Sequence, residues 1–294
     1  MSKLRIMASR HSAFYSPLIS TIAGGFLKEE GFEGVYSVAG GTPLPQLIND
    51  GEIDVAQSAV GGSWGPMEKG EKPPTVHFAQ INTRDGFLIA SRKPDPDFTW
   101  DKLTTGKFMF VHGGQPQAML AYGLHKKGVD INDLDPIDAG GTEDMMSGFR
   151  SGQGDFFHEQ GPYPQQLEHE GHAQVVASVG EAVGPVAFSS LTASWDWVKT
   201  PEAARFTRAY RKSREWVNTA PPAEVAEAEK DFFPEYSLEA LTKTLEYYQG
   251  LGCWDGDIAI PQNLYEAALD VFEHSKLITK RYPMDQVVVA PPDA

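Results

Sequence analysis

The sequence predicts an α/β fold in two lobes, each a mixed, mainly parallel sheet flanked by helices. Three observations lead there. Apolar runs and helix signals alternate as β-α-β-α-β over residues 3–56, an order that implies parallel strands with right-handed crossovers. A second alternation of the same kind begins near residue 86. Several sequence elements of the first alternation then recur, in order, in the second. The length, 294 residues of which 41% are hydrophobic, is enough for two cores and lies where chains begin to divide into domains.

Each element has its own signal. Residues 3–8 alternate and read as a strand, with 11–15 as the loop after it. Ser16 reads as a helix N-cap with Pro17 at the first helical position. Leu18, Ile19, Ile22 and Phe26 then recur at helical spacing, up to Gly31. Residues 35–38 form the second strand. A helix over 43–49 leads to Gly51, and 53–56 is the third strand. In the second half, strands are expected at 86–90, 107–111, 135–138, 155–158, 175–177 and 186–188, with helices over 116–127 and 142–151. Beyond residue 199 the chain turns helical. Thr200-Pro201 opens a helix carrying Phe206, Tyr210 and Val217, and Ser237 caps one carrying Leu238, Leu241, Leu245 and Tyr248. Pro261 opens another with Leu264, Ala268, Val271 and Phe272. These stripes read as core.

The repeat is the most informative feature. Ala39-Gly40-Gly41-Thr42 recurs as Ala139-Gly140-Gly141-Thr142, and Gly51 and Asp54 recur as Gly152 and Asp155. Each copy reads as strand, glycine turn, helix, glycine turn, strand. A glycine pair after a strand permits a tight turn and close approach of a ligand to the backbone. Thr42 and Thr142 are each placed to cap the next helix. Ligands of open α/β sheets bind beyond the carboxyl ends of the strands, so two such lobes make a cleft.

Composition excludes several functions. The net charge of −15 disfavours nucleic acid and anionic membrane surfaces. Cys253 is the single cysteine, which rules out an internal disulfide and a thiolate metal cluster; it reads as a packed side chain. No stretch approaches the ~18 apolar residues of a membrane span. Met1 to Ile6 enters a strand with no export signature, so the expected location is cytoplasmic as written, or periplasmic where an export signal has been removed. His169 and His172 flank Glu170, but beside Gly171 they read as a helix end, and no metal or other cofactor is expected. No GxSxG, HExxH, P-loop or GxGxxG occurs.

Candidate ligand contacts are the residues that follow strand ends. These are Arg10, His11 and Tyr15; Gly41 and Thr42; Ser58 and Ala59; Asn82 and Arg84; His112, Gln115 and Gln117; Thr142; His158, Glu159, Gln160 and Tyr163; and Phe188. Arg10 and Arg84 are the choices for an anion, because arginine makes bidentate charge-assisted bonds. The helix starts at Thr42 and Gln115 would add backbone donors. Tyr15, Trp64, Phe87, Tyr163 and Phe188 offer rings for stacking, Trp64 reading equally well as core.

Four segments resemble the NMT1/THI5-like and sulfonate/taurine-receptor branch of the type II periplasmic binding proteins, the substrate-binding proteins of ABC transporters. They are residues 14–32, ending Phe26-Leu27-Lys28-Glu29-Glu30-Gly31-Phe32; residues 47–56, which follow the family's L-x-x-G-x-x-D-x-A/G element with Ile48 at the leucine position and Gly51, Asp54 and Ala56 matching; residues 103–111; and residues 152–155. The resemblance spans residues 3–190. It implies lobe one at 1–85 and 190–294, lobe two at 86–189, and two crossing segments near 84–92 and 184–190. Ligand would lie in the cleft between the lobes. The implied function is capture of a small polar or anionic molecule, aromatic or heterocyclic ligands included, for ABC-type import through a permease. The alternative is a cytoplasmic enzyme on the same fold, of thiamine-pyrimidine, menaquinone-pathway or aromatic-acid decarboxylase type, with His11, His112, His158 and Glu159 as its acid–base candidates. Against the pyridoxal-phosphate chemistry of the fungal branch, Ser58 stands at the lysine position, Gly62 at the histidine position, and residues 180–185 hold no cysteine.

Overall fold

The computed structural model describes residues 1–292. Its strands are β1 Ser2–Ala8, β2 Phe32–Val38, β3 Val55–Ser58, β4 Val76–Gln80, β5 Phe87–Ser91, β6 Lys107–Met109, β7 Asp135–Ile137, β8 Phe156–Gln160, β9 Gln174–Ser178 and β10 Ser190–Ala193. They form two five-stranded sheets, ordered β2-β1-β3-β10-β4 and β7-β6-β8-β5-β9. In each sheet four strands share one direction, and the single antiparallel member is the strand entered directly after the chain crosses over: β10 in the first, β5 in the second. This is the expected two-lobed architecture with mixed sheets.

The register explains the sequence repeat. Arg5 pairs with Val35 and Ile6 with Val55 in the first sheet, while Lys107 pairs with Asp135 and Phe108 with Phe156 in the second. Ala39 and Ala139 therefore occupy equivalent places, as do Asp54 and Asp155. The two aspartates do the same work. Asp54 Oδ2 accepts the Arg5 backbone N–H at 2.8 Å, and Asp155 Oδ2 accepts that of Lys107 at 2.9 Å. The backbone N–H groups of the aspartates return the bond to the carbonyls of Arg5 and Lys107. Gly51 and Gly152 precede them at φ of 71° and 96°, a region that an L side chain rarely adopts. The shared motif locks β3 to β1 in the first sheet and β8 to β6 in the second.

Several expectations are corrected. Residues 186–188 are not a strand: the Val186 and Ala187 N–H groups bond the Thr83 and Leu264 carbonyls, so this segment belongs to the second crossing. The first crossing is residues 81–86, since the chain leaves β4 at Gln80 and enters β5 at Phe87. Ser16 is the first helical residue and not the cap; its hydroxyl donates to the buried carboxylate of Glu229 at 2.6 Å. Neither Thr42 nor Thr142 caps a helix. Pro43 and Gly141 occupy those positions, and the Thr142 hydroxyl is drawn into the cleft by Glu159. Thr200 and Ser237 do cap, accepting from the N–H groups of Ala203 and Ala240.

The helix Gly61–Glu68 and strand β4 have no counterpart in the sequence reading. Three glycines and Pro66 argue against a helix on propensity, but packing overrides them: a Cβ on Gly61 would fall 2.3 Å from the Phe272 ring. Trp64 of this helix is core, its indole N–H donating to the Tyr265 hydroxyl. Cys253 is buried. Pro201–Thr219 packs on Ser16–Ala23 in the first lobe, but the last two long helices also reach the second. Leu238–Leu251 packs on Tyr163–His169, and Gln262–His274 on Gly114–Lys126. The Tyr248 hydroxyl ties Leu238–Leu251 to the end of the first crossing and to the turn after β8, donating to Gly86 O and accepting from Gly161 N.

Candidate functional site

A cavity of about 430 Å³ opens between the sheets. It sits where an open α/β sheet places its ligand, beyond the carboxyl ends of the parallel strands. Ser9 and Arg10 reach it from the end of β1, Gln57, Ser58 and Ala59 from β3, and Gln160 from β8. Phe87 comes from the start of β5, Gln115 from the start of the helix Gly114–Lys126, and Phe188 and Ser189 from the second crossing. Tyr15 and Phe272 complete the wall.

Its lining divides into amides, hydroxyls and rings. Gln57 Oε1 accepts both the backbone N–H and the hydroxyl of Ser9, so β1 and β3 are bridged at the floor. Gln115 Nε2 donates to Phe188 O at 2.9 Å, tying a lobe-two helix to the second crossing. Gln160 Nε2 reaches the Tyr15 hydroxyl at 3.3 Å. Burial pushes the Tyr15 phenol pKa up, so it stands protonated and able to donate.

Arg10 carries the charge of the lining. Its Nη1 lies 2.7 and 2.6 Å from the two Glu159 oxygens and 3.2 Å from Thr142 Oγ1. Thr142 donates in turn to Glu159 Oε2, and the Gln160 N–H to Glu159 Oε1. Burial opposes the Arg10 charge, but Glu159 and the nearby Tyr15 and Tyr163 outweigh it, and its pKa rises. Burial also raises Glu159, against the pull of Arg10, Gln160 and Thr142. The two shifts point opposite ways for a shared pair. The donor set decides the matter: a guanidinium nitrogen within 2.7 Å of both Glu159 oxygens and the Gln160 N–H can only donate to them, which favours the carboxylate, so the pair is ionic.

Arg10, Tyr15, Ser58, Ala59, Gln115 and Phe188 line the cavity as the sequence placed them, and Glu159 and Thr142 stand behind Arg10. Others go elsewhere. His11 is held between the Tyr36 hydroxyl and Phe232 O and stacks on Phe233 at 4.4 Å. Gly41 and Thr42 are exposed and lie outside the lining. Asn82 donates to Phe14 O inside the first crossing, and Arg84 is half-buried on that crossing, outside the lining. His112 stacks on Phe110, and Gln117 accepts from Gly113 N. Tyr163 donates to His11 O, another bond between lobes. His158 is buried and stacks on Phe87 at 4.5 Å, its pKa pushed down to about 3 by burial. The four proposed acid–base groups are therefore not gathered around one substrate position.

Sequence reasoning missed Ser9, Gln57, Ser189 and Phe272 as lining. Gln57 was within reach, since it lies three residues after the repeat aspartate, where its equivalent His158 had been singled out. Phe272 gave no such sign, because it continues an ordinary helical core stripe.

Fold and cleft together define a two-lobed chain of the periplasmic-binding-protein fold. The chain belongs to the NMT1/THI5 like family, which it matches over residues 14–224. It is 28% identical over 294 residues to a putative binding protein, YtlA, of Bacillus subtilis, covering 98% of this chain and 88% of that one. Among solved structures it resembles the alkanesulfonate-binding protein of Xanthomonas axonopodis pv. citri bound to MOPS, with a TM-score of 0.71 at 16% identity over 100% of this chain and 98% of that one. The nitrate-binding protein of Synechocystis superposes with a TM-score of 0.64 at 14% identity, over 99% and 92% of the two chains. At these identities the structures speak for the fold alone. No helix among the described residues is long and apolar enough to cross a membrane.

Proposed function

We propose that this protein captures one small polar molecule with a flat apolar portion in the cleft and delivers it to an ABC-type importer from the outer face of the membrane. The observation that carries this reading is the cavity itself. It is walled by both lobes and the second crossing, with the rings of Tyr15, Phe87 and Phe188 beside the amides of Gln57, Gln115 and Gln160. Apolar walls with a few placed polar groups are the usual make-up of a small-molecule site. The lobes, 1–85 with 190–294 and 86–189, would close on the ligand about the two crossings. A permease partner fits this role, as do relatives named as binding components of import systems.

The test is recovery of the cargo. Protein purified under native conditions is denatured, and the released small molecules are identified by mass spectrometry. Each is then returned to the emptied protein in a thermal-shift assay. A ligand at a hundred times its Kd should stabilise the native state by about 2.7 kcal/mol. A compound that raises Tm and is recovered unchanged supports capture. One that is converted on incubation overturns it in favour of an enzyme.

A further inference from the structure

Among the described residues, Arg10 is the only charged side chain in the cavity lining, and its charge is already matched from the opposite lobe. Glu159 shows no exposure. Its two oxygens are occupied by Arg10 Nη1, Thr142 Oγ1 and the Gln160 backbone N–H. An entering anion would have to displace this carboxylate from three donors or share Arg10 with it. Displacement strands a buried charge, and sharing sets two negative charges side by side away from water; both are strongly unfavourable. A second observation points the same way. Gln160 Oε1 is buried and has no hydrogen-bond partner, although Gln160 lines the cavity. An orphaned buried acceptor calls for a donor, which a sulfonate, a nitrate or a carboxylate does not supply.

We propose that the cleft selects a small net-neutral ligand presenting an N–H or O–H donor to Gln160, and that Glu159 is the residue that excludes anions by neutralising Arg10. This deepens the solute-capture reading and rests on it. The Arg10 bonds to Glu159 and Thr142 all leave from Nη1, so its remaining guanidinium nitrogens are placed to donate to a neutral acceptor such as a carbonyl or a ring nitrogen. Tyr15, Phe87 and Phe188 would enclose the apolar part. The cleft thus differs in charge from what its anion-binding structural neighbours would suggest.

The experiment uses the full chain and a matched pair of probes, benzenesulfonate and its neutral counterpart benzenesulfonamide, read by calorimetry and thermal shift at fixed ionic strength. The wild-type protein should be indifferent to benzenesulfonate. Glu159→Gln, which keeps the shape and frees the Arg10 charge, should gain about tenfold or more in benzenesulfonate affinity, a difference of ~1.4 kcal/mol. The double variant Glu159→Gln/Arg10→Gln should lose that gain. Wild-type protein binding benzenesulfonate more tightly than the sulfonamide overturns the proposal and leaves solute capture standing. A folded Glu159→Gln protein that stays blind to the sulfonate also overturns it, because something other than Glu159 would then exclude anions. Should that variant not fold, the cargo recovered from native wild-type protein decides: a neutral donor-bearing molecule supports the assignment and an anion ends it.

Discussion

The third strand of lobe one and its equivalent in lobe two begin alike and end differently. Asp54 and Asp155 open β3 and β8 with the same reciprocal backbone bonds to β1 and β6 respectively. Three, four and five residues on, lobe one has Gln57, Ser58 and Ala59, and lobe two has His158, Glu159 and Gln160. The half of each strand that holds the sheet together has kept one solution. The half that reaches the cleft has diverged, and there the lobes divide the labour: lobe one brings the cation of Arg10 and small side chains, and lobe two brings the carboxylate that neutralises it and an amide with an open acceptor. Similarity between the lobes marks scaffold, and difference marks ligand chemistry.

The largest break in this comparison should come at Glu159. Glu159→Ala leaves Arg10 facing an empty buried position, and losing one partner of such a pair costs about 3 kcal/mol. The equivalent change in lobe one, Ser58→Ala, removes a hydroxyl from the open cavity and should cost less than ~0.5 kcal/mol. Urea denaturation of the two variants side by side measures the contrast, and equal losses would mean that the Arg10–Glu159 pair contributes nothing to joining the lobes.

A smaller contrast separates the repeat aspartates. Asp54→Ala should cost about 2 kcal/mol and Asp155→Ala about 1 kcal/mol. Both lose the backbone bond, but Asp54 also holds the Arg5 guanidinium at 2.6 and 3.0 Å, a contact discounted because the Arg5 side chain is 43% exposed. Denaturation midpoints with unchanged m-values would establish the order, and the reverse order would show that the two motifs are not doing the same job.

The smallest effect lies between neighbouring glycines at the cavity wall. Gly61→Ala drives a methyl into the Phe272 ring and should cost about 1 kcal/mol while narrowing the cavity. Gly62→Ala meets only the Ser58 hydroxyl at 3.5 Å and should change stability by less than ~0.3 kcal/mol. Thermal melts of both, with titration of the recovered cargo, check this. A neutral Gly61→Ala would mean that Phe272 can swing away and is not a fixed wall.

The sequence by itself determined the architecture, because its signals are local and repeated. Alternation makes strands, Thr200 and Ser237 cap the helices they precede, and the paired Gly-x-x-Asp turns announce two lobes of one design. It also pointed to the turns after strand ends, since those turns must face the cleft in such a fold. What it could not determine is which way a side chain leaves a turn and what it meets there. Arg10 and Arg84 read alike as a flexible cation beside a strand end, yet one spans the cleft to Glu159 and the other lies outside it. Thr42 and Thr142 stand in the same tetrapeptide, but only Thr142 has a buried carboxylate within reach of its hydroxyl. Helix Gly61–Glu68 forms against its own propensity because Phe272, two hundred residues away in the chain, needs the space a glycine leaves. Those outcomes depend on contacts between segments distant in sequence, and burial sets the energy of each polar pairing, so only the tertiary structure decides them.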